Sequence, residues 1–157
     1  MKNKYKIALL TIVTAVIITW AFARPYHFSG DCMEPTIKSG NTYFLNQMAP
    51  YLRPYRINDI IIFKHEGIVW VSRIVALENN TIQIAEGTIT VNGALLENTG
   101  ISRDWTGWNY GDYAINEPLQ VPLGHVFILS DKLSAHYDDS RTFGPIAEKS
   151  ILGVIWQ

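Results

Sequence analysis

The stretch "GDCMEPT", residues 30 to 36, carries the only cysteine of the chain, Cys32. A thiol attacks a carbonyl well only as the thiolate, so a reactive Cys32 needs a base or a cation beside it. The neighbours suit a presented side chain. Gly30 lies two residues before Cys32 and Pro35 shortly after it. A turn there can aim the Cys32 backbone N–H at a developing oxyanion. Other fates of the thiol fit less well or stay open. Asp31 stands where a lipid-attachment signal wants a small residue, which disfavours lipidation. One cysteine excludes an internal disulfide and leaves an intermolecular one open. The plain alternative is a small buried residue without chemistry.

Composition limits what such a residue can serve. The chain has 157 residues and a formal net charge of -1, which suits one domain with one core. Lys and Arg are scattered and form no basic stripe, so nucleic acid is not an expected partner. No CxxC pair points to zinc, and no metal or cofactor is expected. Five Trp among 12% aromatic residues suit either an interface, a membrane surface included, or a β-rich core.

The N-terminus gives the clearest signal. "IALLTIVTAVIITWAFA", residues 7 to 23, carries no charge. At 1.5 Å per residue it spans about 25 Å, enough for a thin or adapted bilayer. Lys2, Lys4 and Lys6 precede it and Arg24 follows. That bias predicts a cytoplasmic N-terminus, lipid contact through residues 7–23, and an extracytoplasmic remainder. The expected division is an N-tip and anchor over 1–24 and a single-pass C-terminal domain over 25–157, at the plasma membrane. A cleavable signal peptide ending near Ala21-Phe22-Ala23 is the competing reading, and it exports the same remainder.

The exported part reads as all-β. "TYFLN" (42–46), "DIIIFK" (59–64), "IVWVSRIVAL" (68–77), "TIQIA" (81–85), "TITV" (88–91), "HVFILS" (125–130) and "ILGVIW" (151–156) are rich in β-branched and aromatic residues. Asn92-Gly93 after "TITV" predicts a tight hairpin turn. No long segment beyond residue 25 shows helical periodicity. Residues 97–119 interleave Gly, Asn and Asp with Trp105, Trp108, Tyr110 and Tyr113. They predict a long loop or loose hairpin, which either contacts substrate or lipid or packs back on the domain.

Several stretches together resemble the type I signal peptidases. "GDCMEPTIKSGN" (30–41) is similar to that family's nucleophile box, G-x-S-M-x-P-T-L-x-x-G-D. "NDIIIFK" (58–64) resembles its G-D-I-V-V-F strand, and "WVSRIVAL" (70–77) its Y-V-K-R-I-I-G-L box. "TVNG" (90–93) resembles the hairpin that follows. "VPLGHVFILSDKLSAHYDDSRTFGPI" (121–146) resembles the last box, with its G-D-N and S-x-D-S-R elements. The boxes follow the family order. The resemblance implies a signal-peptidase-like domain of coiled β-sheets behind one uncleaved transmembrane helix, acting on exported preproteins or their signal peptides.

The same resemblance implies a Ser–Lys dyad, in which a lysine of low pKa deprotonates the serine. Here the serine position holds Cys32 and the lysine position holds Ser72. A hydroxyl of ordinary pKa is no base near neutral pH. The position of a second serine that faces the lysine in many members holds Tyr137. The supporting positions match: Met33, Pro35, Thr36, Arg73, Asp131, Asp139, Ser140, Arg141, Phe143 and Gly144. In the family this last aspartate and arginine form a bracing pair. Ser130 and Lys132 depart from G-D-N around Asp131, and "LENN" departs from the ending of the second box.

Three functions follow. A pseudo-peptidase keeps the peptide cleft and does not cut, as in noncatalytic relatives that serve pilus assembly. An active signal peptidase uses Cys32 with a new base: His136 by its place beside Tyr137, His65 less well, Lys64 least. Either histidine also reads as an exposed residue without a role. A binding module uses the fold as scaffold alone, with the aromatic loop at 105–113 as its candidate surface.

Overall fold

The computed structural model describes residues 2–97, 99–101, 108–132 and 138–156. The candidate residues His136, Tyr137 and Trp105 lie outside these.

Helix α1 (Lys2–Phe22) runs 21 residues, about 31 Å, close to the thickness of a bilayer's hydrocarbon core. Among the described residues it is the one helix long and apolar enough to cross a membrane. Its polar side chains are compatible with lipid. Thr11, Thr14 and Thr19 each donate to the carbonyl four residues back, at 3.0, 2.8 and 2.9 Å, so these three hydroxyls are satisfied within the helix. Ala23 alone separates α1 from strand β1 (Arg24–His27).

Ten further strands follow: β2 (Thr42–Asn46), β3 (Ile60–His65), β4 (Ile68–Ala76), β5 (Thr81–Ala85), β6 (Thr88–Val91), β7 (Ala94–Leu95), β8 (Leu119–Gln120), β9 (His125–Leu129), β10 (Ile146–Ala147) and β11 (Ile151–Ile155). Two four-residue helices, α2 (Ala49–Leu52) and α3 (Ser140–Phe143), sit between them. The strands form a seven-stranded sheet, β1-β2-β11-β3-β4-β9-β10, and a four-stranded sheet, β7-β6-β5-β8. The fold is thus mainly β behind one apolar N-terminal helix. All seven expected strands are present, four of them with ends one residue inside or outside the predicted run. Strands β1, β8 and β10 had no sequence signal. They are short, and Pro25 in β1 is tolerated because β1 is an edge strand.

The centre of the large sheet explains the run "IIIF". Strand β3 is buried on both faces, so successive residues point to different apolar clusters. Ile61 and Phe63 pack with Ile74, Val126, Ile128 and Val154. Ile60 and Ile62 pack with Phe28, Met33, Ile37, Leu45 and Val71. A third cluster, with Val75, Ile82, Ile84 and Phe127, joins the two sheets. Asn92 and Gly93 close the β6–β7 hairpin with φ of 53° and 79°, the positive pair such a turn requires.

The described part of the aromatic loop packs back onto the domain. Trp108 lies against the cluster between the sheets. Ile84 N donates to Ala114 O at 2.7 Å, and Asn116 N donates to Ile84 O at 2.8 Å. Asp112 N and Tyr113 N both donate to the Arg141 carbonyl, at 2.7 and 3.0 Å. The loop is therefore fastened to helix α3 and to β5.

Candidate active site

The segment 30–37 folds as a compact turn anchored by its apolar members. Met33 and Ile37 are fully buried in the cluster that floors this end of the large sheet, and half-buried Cys32 packs against the same cluster. Ile37 N donates to Met33 O at 2.8 Å, Glu34 N donates to Asp31 O at 3.0 Å, and Gly30 N donates to Ser39 Oγ at 3.2 Å. Pro35 and Thr36 lie on the outer side of the turn, exposed. Across from it, Lys132 N donates to Cys32 O at 2.9 Å, and Lys132 Nζ pairs with Asp31. The turn is thereby joined to the segment just after β9.

Arg73 ties the same pieces together from below. The pleat places Val71, Arg73 and Val75 on one face of β4. Arg73 Nε and Nη2 hold the two carboxylate oxygens of Asp131 at 2.7 and 2.6 Å. Its Nη2 also reaches Thr36 Oγ1 at 3.2 Å, and its Nη1 donates to Asn58 O at 3.1 Å. Arg73 and Asp131 are both buried. A bidentate fork of this kind fixes direction as well as charge. Gly100 closes over the cluster. A Cβ there would overlap Arg73 Nη2 and Thr36 Oγ1. Nothing in the local sequence marked Gly100.

A second buried pair lies beside it. Asp139 caps helix α3 by accepting from Arg141 N at 3.0 Å. It also accepts from Arg141 Nε and Nη2, both at 2.9 Å, and from Ser130 N at 3.2 Å. Ser140 Oγ accepts from Ile128 N at 3.0 Å. These three residues are fully buried. Their role is to hold the end of β9 and the turn after it.

The candidate bases stand as follows. Ser72 is buried, and its hydroxyl donates to the Val71 carbonyl at 2.7 Å. Lys64 is exposed and pairs with Val69, three residue pairs along the β3–β4 ladder from Ile61–Ser72, about 10 Å at 3.3 Å per residue. His65 lies one pair further and stacks on Phe143 with ring centroids 4.4 Å apart. Neither residue is near Ser72. Cys32 itself has an unfavourable setting for ionisation. Burial, then the charge of Asp31, push its thiol from 9.0 up to about 11, with smaller contributions from Asp131 and Asp139.

The family described as "Signal peptidase, peptidase S26" matches residues 1–156. The chain belongs to the signal peptidase family. It is 28% identical to signal peptidase I V of Bacillus subtilis (strain 168) over 155 residues, 94% of this chain and 92% of that one. It is 24% identical to signal peptidase I of Bacillus amyloliquefaciens, covering 94% of this chain and 82% of the relative. It is 27% identical to the probable thylakoidal processing peptidase 2 of Arabidopsis thaliana, over 94% of this chain but only 41% of that longer protein. The crystal structure of a signal peptidase I from Enterococcus faecalis V583 shares the fold, with a TM-score of 0.51 and 24% identity. It matches 66% of this chain and 98% of its own.

Two outcomes test the site. Arg73→Met or Asp131→Ala leaves one buried charge alone and lowers stability by about 3–5 kcal/mol, seen as a lower melting temperature in detergent. The double replacement by apolar residues loses less than either. For Cys32, the raised pKa means that the folded thiol keeps its proton longer than the unfolded one. Stability from this group is therefore complete below pH 9 and is lost as pH rises towards about 11. Alkylation by iodoacetamide is expected to be slow at pH 7–8 in the folded protein and to climb up to about pH 11. Reaction at pH 7 as fast as in the denatured chain would contradict this setting.

Proposed function

We propose that this chain is a membrane-anchored signal peptidase homologue that receives the signal regions of exported preproteins without cutting them efficiently. The observation that carries the reading is Ser72. The position that supplies the base in the Ser–Lys scheme holds a buried hydroxyl engaged with its own backbone. Losing a general base alone lowers rate by about two to four orders of magnitude. Cys32 adds a thiol held in its protonated form. The frame of Arg73, Asp131, Asp139 and Arg141 is formed, which supports a scaffold retained without its dyad. An assembly or chaperone role on exported proteins, as in pilus assembly, fits such a scaffold.

Residues 1–24 form the cytoplasmic tip and anchor in this reading, and 25–157 the extracytoplasmic domain. One contact favours an uncleaved anchor. Trp156 Nε1, just past the last strand, donates to the Phe22 carbonyl at 3.0 Å. It satisfies a carbonyl at the end of α1, and cleavage near Ala23 would discard that partner. The lysines at 2, 4 and 6 favour an N-terminus inside.

A second reading rests on the half-exposed place of Cys32 at the nucleophile position. There the chain is an active signal peptidase with a cysteine nucleophile. The deciding measurement is cleavage of a signal-bearing preprotein by the full-length protein in liposomes, beside Cys32→Ala. The proposal expects binding of the signal peptide by both proteins and cleavage by neither. Cleavage by the wild type that disappears in Cys32→Ala establishes the second reading. Absence of peptide binding by folded protein leaves only a binding module of another kind.

A further inference from the structure

The short helix α2 inverts the arrangement usual in water. Its buried side chain is the small Ala49, while Tyr51 and Leu52 stand outward at 81% and 61% exposure. A helix on a solvated surface buries its larger apolar residues and exposes polar ones. One exposed leucine is ordinary, but neighbouring large apolar side chains mark a contact surface. Here they are neighbours in space as well as in sequence. Tyr51 lines a groove together with Leu152, which the irregular step of β11 opposite β3 leaves exposed.

Trp156 fixes where this surface lies. Its indole donates to the Phe22 carbonyl at the end of α1. The same side chain lines a cavity of about 270 Å³ together with Ala49, which opens α2, and Arg53, which follows it. One small cavity therefore separates α2 from the last turn of α1. The strand register agrees. Strand β2 leads into α2, it runs back past Arg24 at Leu45, and it touches α1. Trp20, in the last turns of α1, and Trp156 are both exposed. When α1 crosses a bilayer, this turn lies where hydrocarbon gives way to headgroups, because the uncharged run stops at Ala23 and Arg24 follows. Tyr51 thus joins Trp20 and Trp156 at the depth that suits a ring with a polar tip.

We propose that Tyr51 and Leu52, with Leu152 beside them, form a second lipid contact of this protein, set in the interfacial zone of the bilayer that α1 crosses. The occupant is the membrane surface, because the patch continues the lipid-facing end of α1 at the same depth. A lone helix can tilt within a bilayer. A second contact beside its exit restricts that tilt and sets the attitude of the domain. The inference rests on α1 as an uncleaved anchor, and it is independent of whether any peptide is cut.

The test reads depth at single positions. Full-length protein carrying Cys32→Ala receives one new cysteine at a time: Tyr51→Cys, Leu52→Cys, Leu95→Cys or Ile12→Cys. Each is labelled with the fluorophore NBD and reconstituted in phosphatidylcholine vesicles, with circular dichroism confirming the fold. Quenchers are iodide on both sides of the bilayer, or phosphatidylcholine with a nitroxide high on its acyl chain. Leu95 is the control. It is also exposed, but it belongs to the small sheet, which packs on β4 and β9 rather than on β2. Ile12, within α1, reports whether the helix is in lipid. Labels at positions 51 and 52 are expected to lose most of their emission to the nitroxide and little to iodide, and the label at 95 the reverse. Iodide quenching at 51 and 52 as strong as at 95, with position 12 protected, overturns the second contact and leaves the anchor standing. Protection of 51 and 52 from both quenchers overturns it too, in favour of a second copy or another protein on this face. A label at position 12 open to iodide overturns the anchor and the second contact together.

Discussion

The site is organised around one buried ion pair. Arg73 and Asp131 are removed from water together, and that is tolerable only because nearly every donor of the guanidinium is engaged. Those bonds reach three separate pieces of chain: the turn at Thr36, the approach to β3 at Asn58, and Asp131 in the segment after β9. Asp131 is followed directly by Lys132, whose N–H holds the Cys32 carbonyl. The location of the thiol is therefore a consequence of where a guanidinium fork points. A hydrophobic contact of the same area would stabilise without specifying direction.

In the proposed reading, this frame persists while the chemistry changes. A lysine buried to lower its pKa is a destabilising element, since desolvation of its charged form must be offset elsewhere. Ser72 removes that strain and satisfies its own hydroxyl with the Val71 carbonyl. Ser72 takes no part in the Arg73–Asp131 and Asp139–Arg141 bonds described above. In that reading stability and catalysis are separable, and relaxation of a strained catalytic position is an expected route to a more stable, less active relative.

Much of the scaffold was legible because it rests on local rules. The run Ile60–Phe63 is apolar without alternation since both faces of β3 are covered. Asn92-Gly93 announces its turn by residue type. The turns Glu66-Gly67 and Glu86-Gly87 adopt the same positive φ pair, yet a glutamate at the first position gives a weaker signal than an asparagine. Asp139 reads as part of a motif, and its capping of α3 follows from an aspartate placed just before a helical turn. The pairing of Arg73 with Asp131 spans 58 residues and that of Asp31 with Lys132 spans 101. Contacts at that separation carry no periodicity or turn chemistry, so a single chain does not display them. Gly100 belongs to the same class. Its requirement comes from what lies above it in space, and its neighbours in sequence are silent.

The junction between Phe22 and Arg24 has a mechanical meaning. With one residue between helix and first strand, and with Trp156 bonded to the helix end, the domain has no tether on which to swing. Once α1 lies in a bilayer, the height of Cys32 above the lipid is set by the rigid body and not by a flexible linker. Encounter with a partner then becomes a search within the plane of the membrane at one fixed depth. A chain segment that presents itself further out would pass over Cys32, however well its side chains fit.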